Sequence, residues 1–362
     1  MKIEKLPFYF QSNIDNNNAG YPIDFPFHLY YDTELKMYRQ KDTPELSSLL
    51  EKVYIKGSLV DGSLSSNTGA NYIEEILKII ATYYNSSIEA VLEIGGGTGD
   101  LLQKIDAKFK TIVEPGEHIN SNYDLGTNIE IIKDFFPTKK LSTLFDLIIH
   151  FAVLEHIADP IKFLSEQKKI LKKHGRIIFG VPNEEPYIDS GDIGMLIHEH
   201  YNYFTTESLF KTVEKAGLFI EKYFHIEGMI ILIITTKPQT LLEYPVFDSD
   251  LFLVKMIEMQ RKMELFLNKY ENKNIALYAP SRAINTLFFA NGKNVRLVDD
   301  NPEVHNKYLP FLNNSIENFA DIVNEPPSVI LIFSRTFGNR IKEKCQKQKE
   351  LQDIGVFTLN DL

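Results

Sequence analysis

What this chain has little of narrows it first. It contains one cysteine, Cys345, and no tryptophan. A lone thiol excludes an intrachain disulfide and any site built from several thiolates, and it fits a reducing compartment. Basic charge is also short: 39 Lys and Arg against 49 Asp and Glu leave a net charge of −10. Neutralising a phosphate backbone needs a concentrated cationic surface, so nucleic acid is not expected as a partner and a small-molecule substrate is. Long apolar runs are missing too. The longest, Met229–Ile234, falls far short of the roughly 20 residues that cross a bilayer and reads as a strand. The opening stretch MKIEKLPFYF has neither an apolar h-region nor a small-residue cleavage site, so no membrane or export is expected and the cytoplasm is the default address.

What is present is an ordinary globular composition, 44% hydrophobic and 24% charged over 362 residues, long enough for two cores. Residues 1–69 carry scattered aromatics, a turn signal at Asn16–Gly20 and no sustained period. They read as an irregular N-terminal segment or a lid over an acceptor pocket. From Asn71 the pattern is helical, with Tyr72, Ile73, Ile76, Leu77, Ile79 and Ile80 on one stripe.

Short apolar strands then alternate with helices: Ala90–Ile94, Thr111–Glu114, Ile129–Ile132, Phe145–His150 and Arg176–Val181. This alternation predicts an α/β fold with a doubly wound parallel sheet. The helix before the fifth strand is punctuated by Asp159 as N-cap, Pro160 in the first turn and Gly175 just past its end. Leu218–Phe224 and Met229–Thr235, joined through Glu227 and Gly228, predict an antiparallel hairpin closing the sheet. Pro238 and Pro245 mark a boundary. Residues 70–240 thus form one domain, and 241–362, opening with a helix at Leu251–Tyr270, form a second, smaller Rossmann-like α/β domain.

The chemistry starts at the first strand, which runs directly into Gly95, Gly96, Gly97, Thr98 and Gly99. Glycines let the backbone turn sharply and approach a ligand closely. A dinucleotide fingerprint wants a small residue where Asp100 stands, which disfavours NAD and an oxidoreductase. The alternation Glu93, Gly95, Gly97, Gly99 resembles class I S-adenosylmethionine-dependent methyltransferases, whereas the bland reading is a glycine-rich turn. The resemblance implies S-adenosylmethionine as cofactor and a methyltransferase-type sheet. Glu114, at the end of the second strand, is placed to hold ribose hydroxyls. Asp134 and Phe135, after the third, have the chemistry for an adenine amino group and ring, or are a turn aspartate and a core Phe. HFAVLEHIADP, positions 150–160, resembles the run after the fourth strand in this superfamily, which implies Glu155 and His156 near the cofactor or a purely structural cap.

HEHYNYFTTESLFKTVEKAGL at 198–218, with VDDNPEVHNKYLP at 298–310 and SVILIFSRTFGNRI at 328–341, resembles the sugar C-methyltransferases of deoxysugar biosynthesis. That family opens with a cysteine-built zinc site, which one cysteine cannot supply, so no metal is expected. The resemblance implies a nucleotide-linked keto sugar as acceptor, His200 as general base, Glu199 beside it and Tyr54 near the substrate. Ile197 stands where the family can carry another active-site tyrosine. A base titrating near the working pH suits removal of a proton next to a carbonyl.

Other readings stay open. Methylation at oxygen or nitrogen would use the same residues, and a scaffold that binds the cofactor without catalysis would keep the loop alone. His198 and His200 as an H-x-H metal pair lack a third ligand. His225 is a secondary base candidate. Asp299 and Asp300, at a strand end of the second domain, read as a hydroxyl-binding pair or a solvated turn.

Overall fold

The computed structural model describes the chain except residues 9–11, 15–18, 59–66, 85–87, 118–127, 241, 250, 272 and 291–294, and gives only the backbone at 67–71, 282, 289 and 290. Three sheets organise it. Most of the turn expected at Asn16–Gly20 lies outside the described residues.

The N-terminal residues are not irregular, which corrects the expectation from sequence. β1 (Lys2–Pro7), β2 (Asp24–Asp32) and β3 (Met37–Gln40) form an antiparallel meander, followed by α1 (Pro44–Lys56). The fourth strand of this sheet, Asn202–Tyr203, lies within the next domain, ahead of its hairpin and 163 residues along the chain from Arg39 to Asn202, and pairs with β3. Half-exposed short strands with Pro7 and Pro26 inside give no clean alternation, and their completing partner is distant in sequence, so the period was invisible.

α2 (Asn67–Tyr83) leads into β4 (Ile88–Ile94), α3 (Asp100–Lys104), β5 (Ala107–Val113), β6 (Ile129–Ile132) and β7 (Phe145–Phe151). Then come α4 (Pro160–Ile170), β8 (Leu171–Pro182), α5 (Glu185–Ser190), β9 (Asn202–Tyr203), α6 (Thr206–Lys215) and the hairpin of β10 (Phe219–Ile226) with β11 (Met229–Thr235). The sheet runs β10-β11-β8-β7-β4-β5-β6, parallel except that β11 is antiparallel to both neighbours. Its two faces are covered by separate apolar clusters, one around Leu92, Ile148 and Phe179 and one around Val91, Ile149 and the α2 stripe. Strands buried on both faces read as continuous apolar runs, which is why they were legible. Glu227 and Gly228, both at positive φ, make the tight connection of the hairpin.

One boundary is corrected. α4 is capped by Asp159, whose carboxylate accepts from the Lys162 N–H, but it stops at Ile170 and not at Gly175. Gly175 lies within β8, where a Cβ would come within 2.9 Å of the Asp146 carbonyl oxygen of β7. The glycine serves close strand approach, not a helix cap.

The second domain contains α7 (Phe252–Lys269), β12 (Ile275–Tyr278), α8 (Ile284–Ala290), β13 (Arg296–Val298), β14 (Ile316–Glu317), α9 (Phe319–Asn324), β15 (Val329–Ile332), α10 (Gly338–Gln346) and β16 (Gly355–Thr358). Its sheet, β14-β13-β12-β15-β16, is parallel throughout, the smaller Rossmann-like unit expected. It is tied to the first domain by Asn285, which donates to the carbonyls of Ile193 and Leu196, and by the buried pair Arg335–Asp192 at 3.0 Å.

Candidate active site

The glycine loop crosses the C-terminal end of β4. Gly95, Gly97 and Gly99 all take positive φ, which side-chain-bearing residues rarely adopt. The Gly95 N–H bonds the Val113 carbonyl, stitching the loop to β5. A Cβ at Gly96 would meet the Glu93 carboxyl carbon at 2.7 Å, so Glu93 packs directly beneath the loop and supports it. Burial pushes the Glu93 carboxyl up to about 8, against a hydrogen bond from the Leu102 backbone, and its Oε2 has no partner among the described residues.

Glu114 stands where the second strand ends. It is buried, and its carboxylate accepts from the N–H of Gly97 at 3.2 Å and of Gly116 at 2.8 Å. The expected carboxylate and the expected loop are therefore in direct contact. Asp134, by contrast, gives its carboxylate to its own turn, accepting from the Thr138 hydroxyl at 2.8 Å and pairing with Lys140, and these partners hold it below its ordinary value. The Phe135 ring is 42% exposed and is no core residue.

The other wall is the turn after β7. A Cβ at Gly95 would lie 2.7 Å from Val153, so the loop rests on the residue that opens the turn Leu154–His156. Glu155 is 1% exposed and neither carboxylate oxygen finds a hydrogen-bond partner among the described residues. Burial pushes it up to about 8, with the Glu184 carboxylate adding to the shift. His156 is pushed down to about 4 by the same burial.

Glu199 and His200 arrive on the segment that climbs from β8 into the N-terminal sheet. Gln40, at the end of β3, holds this segment: its side-chain amide donates to the carbonyls of His198 and His200 at 2.7 and 3.2 Å, and its N–H to that of Tyr201 at 2.9 Å. The Glu199 carbonyl accepts from His156 Nδ1 at 2.9 Å and from the Tyr54 hydroxyl at 3.2 Å, while its carboxylate accepts from Ser58. Burial and the nearby Glu199 charge keep Tyr54 protonated, far above a phenol's usual range. The His200 ring stands edge-on to His156, centroids 4.8 Å apart. Tyr54, Glu199 and His200 lie close together, with Tyr54 spent on the Glu199 backbone.

The remaining candidates separate. His198 turns away from His200 into a cage of Phe8, Phe25 and Phe27, with its ring nitrogens on Gln40 and the Leu6 carbonyl, so the H-x-H pair does not exist. His225 bonds Thr206 on the hairpin side of the sheet. Asp300 is tied to Tyr278 and Lys344, and Asp299 caps its own turn at Asn301. Ile197 is buried. Gln40 and Ser58 were not singled out from sequence, since only tertiary contacts distinguish them from core or surface residues.

Residues 68–223 match a family model described as a methyltransferase domain. A ubiquinone biosynthesis O-methyltransferase of Ruegeria sp. (strain TM1040) is 31% identical over 84 residues, 20% of this chain and 34% of that protein, so the chain spans about a third of that relative. Among solved structures, the N-methyltransferase NodS of Bradyrhizobium japonicum WM9 in complex with S-adenosyl-l-homocysteine is 15% identical, with 51% of this chain and 95% of that one covered at a TM-score of 0.39. An S-adenosylmethionine-dependent methyltransferase of Clostridium acetobutylicum ATCC 824 is 14% identical, covering 46% and 91% at 0.39. The cofactor of a class I domain is S-adenosylmethionine, and the residues fit it: nothing lies within 4 Å of a Cβ built at Gly97, and Glu114 stands beside that opening. By family model, strand order and glycine loop, residues 68–223 carry a class I methyltransferase domain.

Proposed function

We propose that this protein transfers the methyl group of S-adenosylmethionine to carbon of a small sugar-like acceptor, a nucleotide-linked keto sugar. The observation that carries this reading is the convergence of Glu199, His200, His156 and Tyr54 on the turn that abuts the glycine loop through Val153. Glu93, Gly95, Gly97 and Gly99 shape the cofactor side and Glu114 takes the ribose hydroxyls, with Asp134 and Phe135 toward the adenine. The cofactor supplies an electrophilic methyl group on sulfonium. His200 would take the proton from the carbon next to the acceptor's carbonyl, leaving that carbon as the nucleophile toward the methyl group a bound cofactor would supply. Glu199 fixes the segment through its carbonyl, and Tyr54 holds that carbonyl in place. Methylation at oxygen is the second reading, favoured by the identity to an O-methyltransferase.

Calorimetric titration with S-adenosylmethionine, S-adenosylhomocysteine and NAD tests the cofactor: micromolar binding of the first two and none of NAD is expected. Keto-sugar nucleotides in D2O then test the base. Wild type exchanges the proton next to the carbonyl, and His200→Ala binds cofactor normally while exchange and turnover fall by about 10² or more. Unchanged exchange in His200→Ala removes the residue from the mechanism, and methylated product without exchange favours oxygen.

A further inference from the structure

The turn after β7 also assembles a second kind of site. Glu155, His156 and His200 each place one ligating atom within 4.8 Å of the other two. The proton positions on His156 follow from its partner. Its Nδ1 lies 2.9 Å from the Glu199 carbonyl oxygen, which only accepts, so Nδ1 carries the hydrogen and Nε2 keeps its lone pair. That lone pair faces Glu155 Oε1 at 3.9 Å, too long for a hydrogen bond. Glu155 is 1% exposed and both its oxygens lack a partner among the described residues. Buried without a partner, this carboxyl stays protonated, and a cation between it and the imidazoles is what would compensate its ionised form.

We propose that Glu155, His156 and His200 form a binding site for a single divalent ion of the zinc class. Two ligands of one ion at about 2.0–2.2 Å stand roughly 3–4 Å apart, the separation seen between Glu155 and His156. Two imidazoles and one carboxylate suit zinc, cobalt or nickel, not the all-oxygen shells of magnesium or calcium. The Glu199 carbonyl behind Nδ1 is the outer partner that orients a ligating histidine and fixes its tautomer. Three protein ligands leave a coordination position open for an acceptor oxygen. An ion here occupies the His200 lone pair that proton removal requires, so the filled site and the free base are exclusive states. The inference rests on the cluster's geometry and does not depend on methyl transfer.

The test is a titration of chelator-stripped full-length protein with Zn2+ against a chromogenic chelator, and with Co2+ followed by its visible bands. One equivalent is expected to bind, with Co2+ bands of low coordination number. Glu155→Gln, which keeps the side chain's shape, and His156→Ala are each expected to weaken binding by about 100-fold or more, since outer-shell losses alone reach that range. His174→Ala, on the exposed start of β8, leaves binding unchanged. Circular dichroism and S-adenosylhomocysteine binding report whether each variant folds. Absence of stoichiometric binding overturns the site, as does binding that survives both substitutions. Loss of S-adenosylhomocysteine affinity in folded Glu155→Gln, with no metal bound by wild type, assigns the carboxylate to the cofactor and overturns it too. Failure of the methyltransferase reading shows instead as metal binding with no cofactor binding.

Discussion

At the scale of single residues, the loop after β4 depends on what is missing from its glycines. The open space beside Gly97 faces Glu114, so Gly97→Arg is expected to fill the cofactor's place and abolish S-adenosylhomocysteine binding by calorimetry, at a backbone φ of +50° that arginine also resists. Beneath the loop, Glu93 makes stability pH-dependent. Its folded carboxyl titrates near 8 and the unfolded one near 4.5, so the unfolded chain loses this proton first as pH rises. The contribution of Glu93 to stability therefore falls between pH 4.5 and 8 and levels off above. Glu93→Gln lacks this slope, and its urea midpoint is expected to gain on wild type from pH 5 to pH 8. Parallel profiles would show that Glu93 titrates normally. The glycine loop and its two carboxylates were legible in the sequence because they are local. The meeting of Glu155 and His156 with His200 was not, since 43 residues of chain and a whole helix–strand–helix excursion separate them before the fold closes.

At the scale of elements, the segment carrying Glu199 and His200 has little regular structure of its own and borrows order from β3. Gln40, 2% exposed, satisfies two of its carbonyls through one side-chain amide. Gln40→Ala is expected to cost about 1–3 kcal/mol by leaving buried acceptors unpaired. Turnover should fall with cofactor affinity unchanged, because the glycine loop lies on other strands. A cofactor Kd that rises together with the loss of turnover would show that the two walls are not independent. β3 thus frames the segment through Gln40. Sequence patterning missed this because β9 is two residues long and finds β3 only in three dimensions.

At the scale of the whole molecule, the two α/β domains are joined by polar contacts that are themselves buried. Arg335 and Asp192 are each 6% exposed, and Asp192 also accepts from the Gly194 N–H. Asp192→Asn leaves a buried guanidinium without its counter-charge and is expected to destabilise the protein by about 3–5 kcal/mol. Calorimetric melting is expected to split into two transitions as the domains uncouple; a single unshifted transition would show the pair to be dispensable. No helix among the described residues is long and apolar enough to cross a membrane. The sequence by itself determined the two α/β units, the hairpin and the glycine loop, because buried parallel strands, helix stripes and glycines at turns leave periodic marks within a few residues. Only the tertiary structure decided which histidine stands against His156, that Gln40 of β3 holds the Glu199–His200 segment, and that Gly175 serves strand packing. Those depend on contacts between segments far apart in the chain, which no local pattern records.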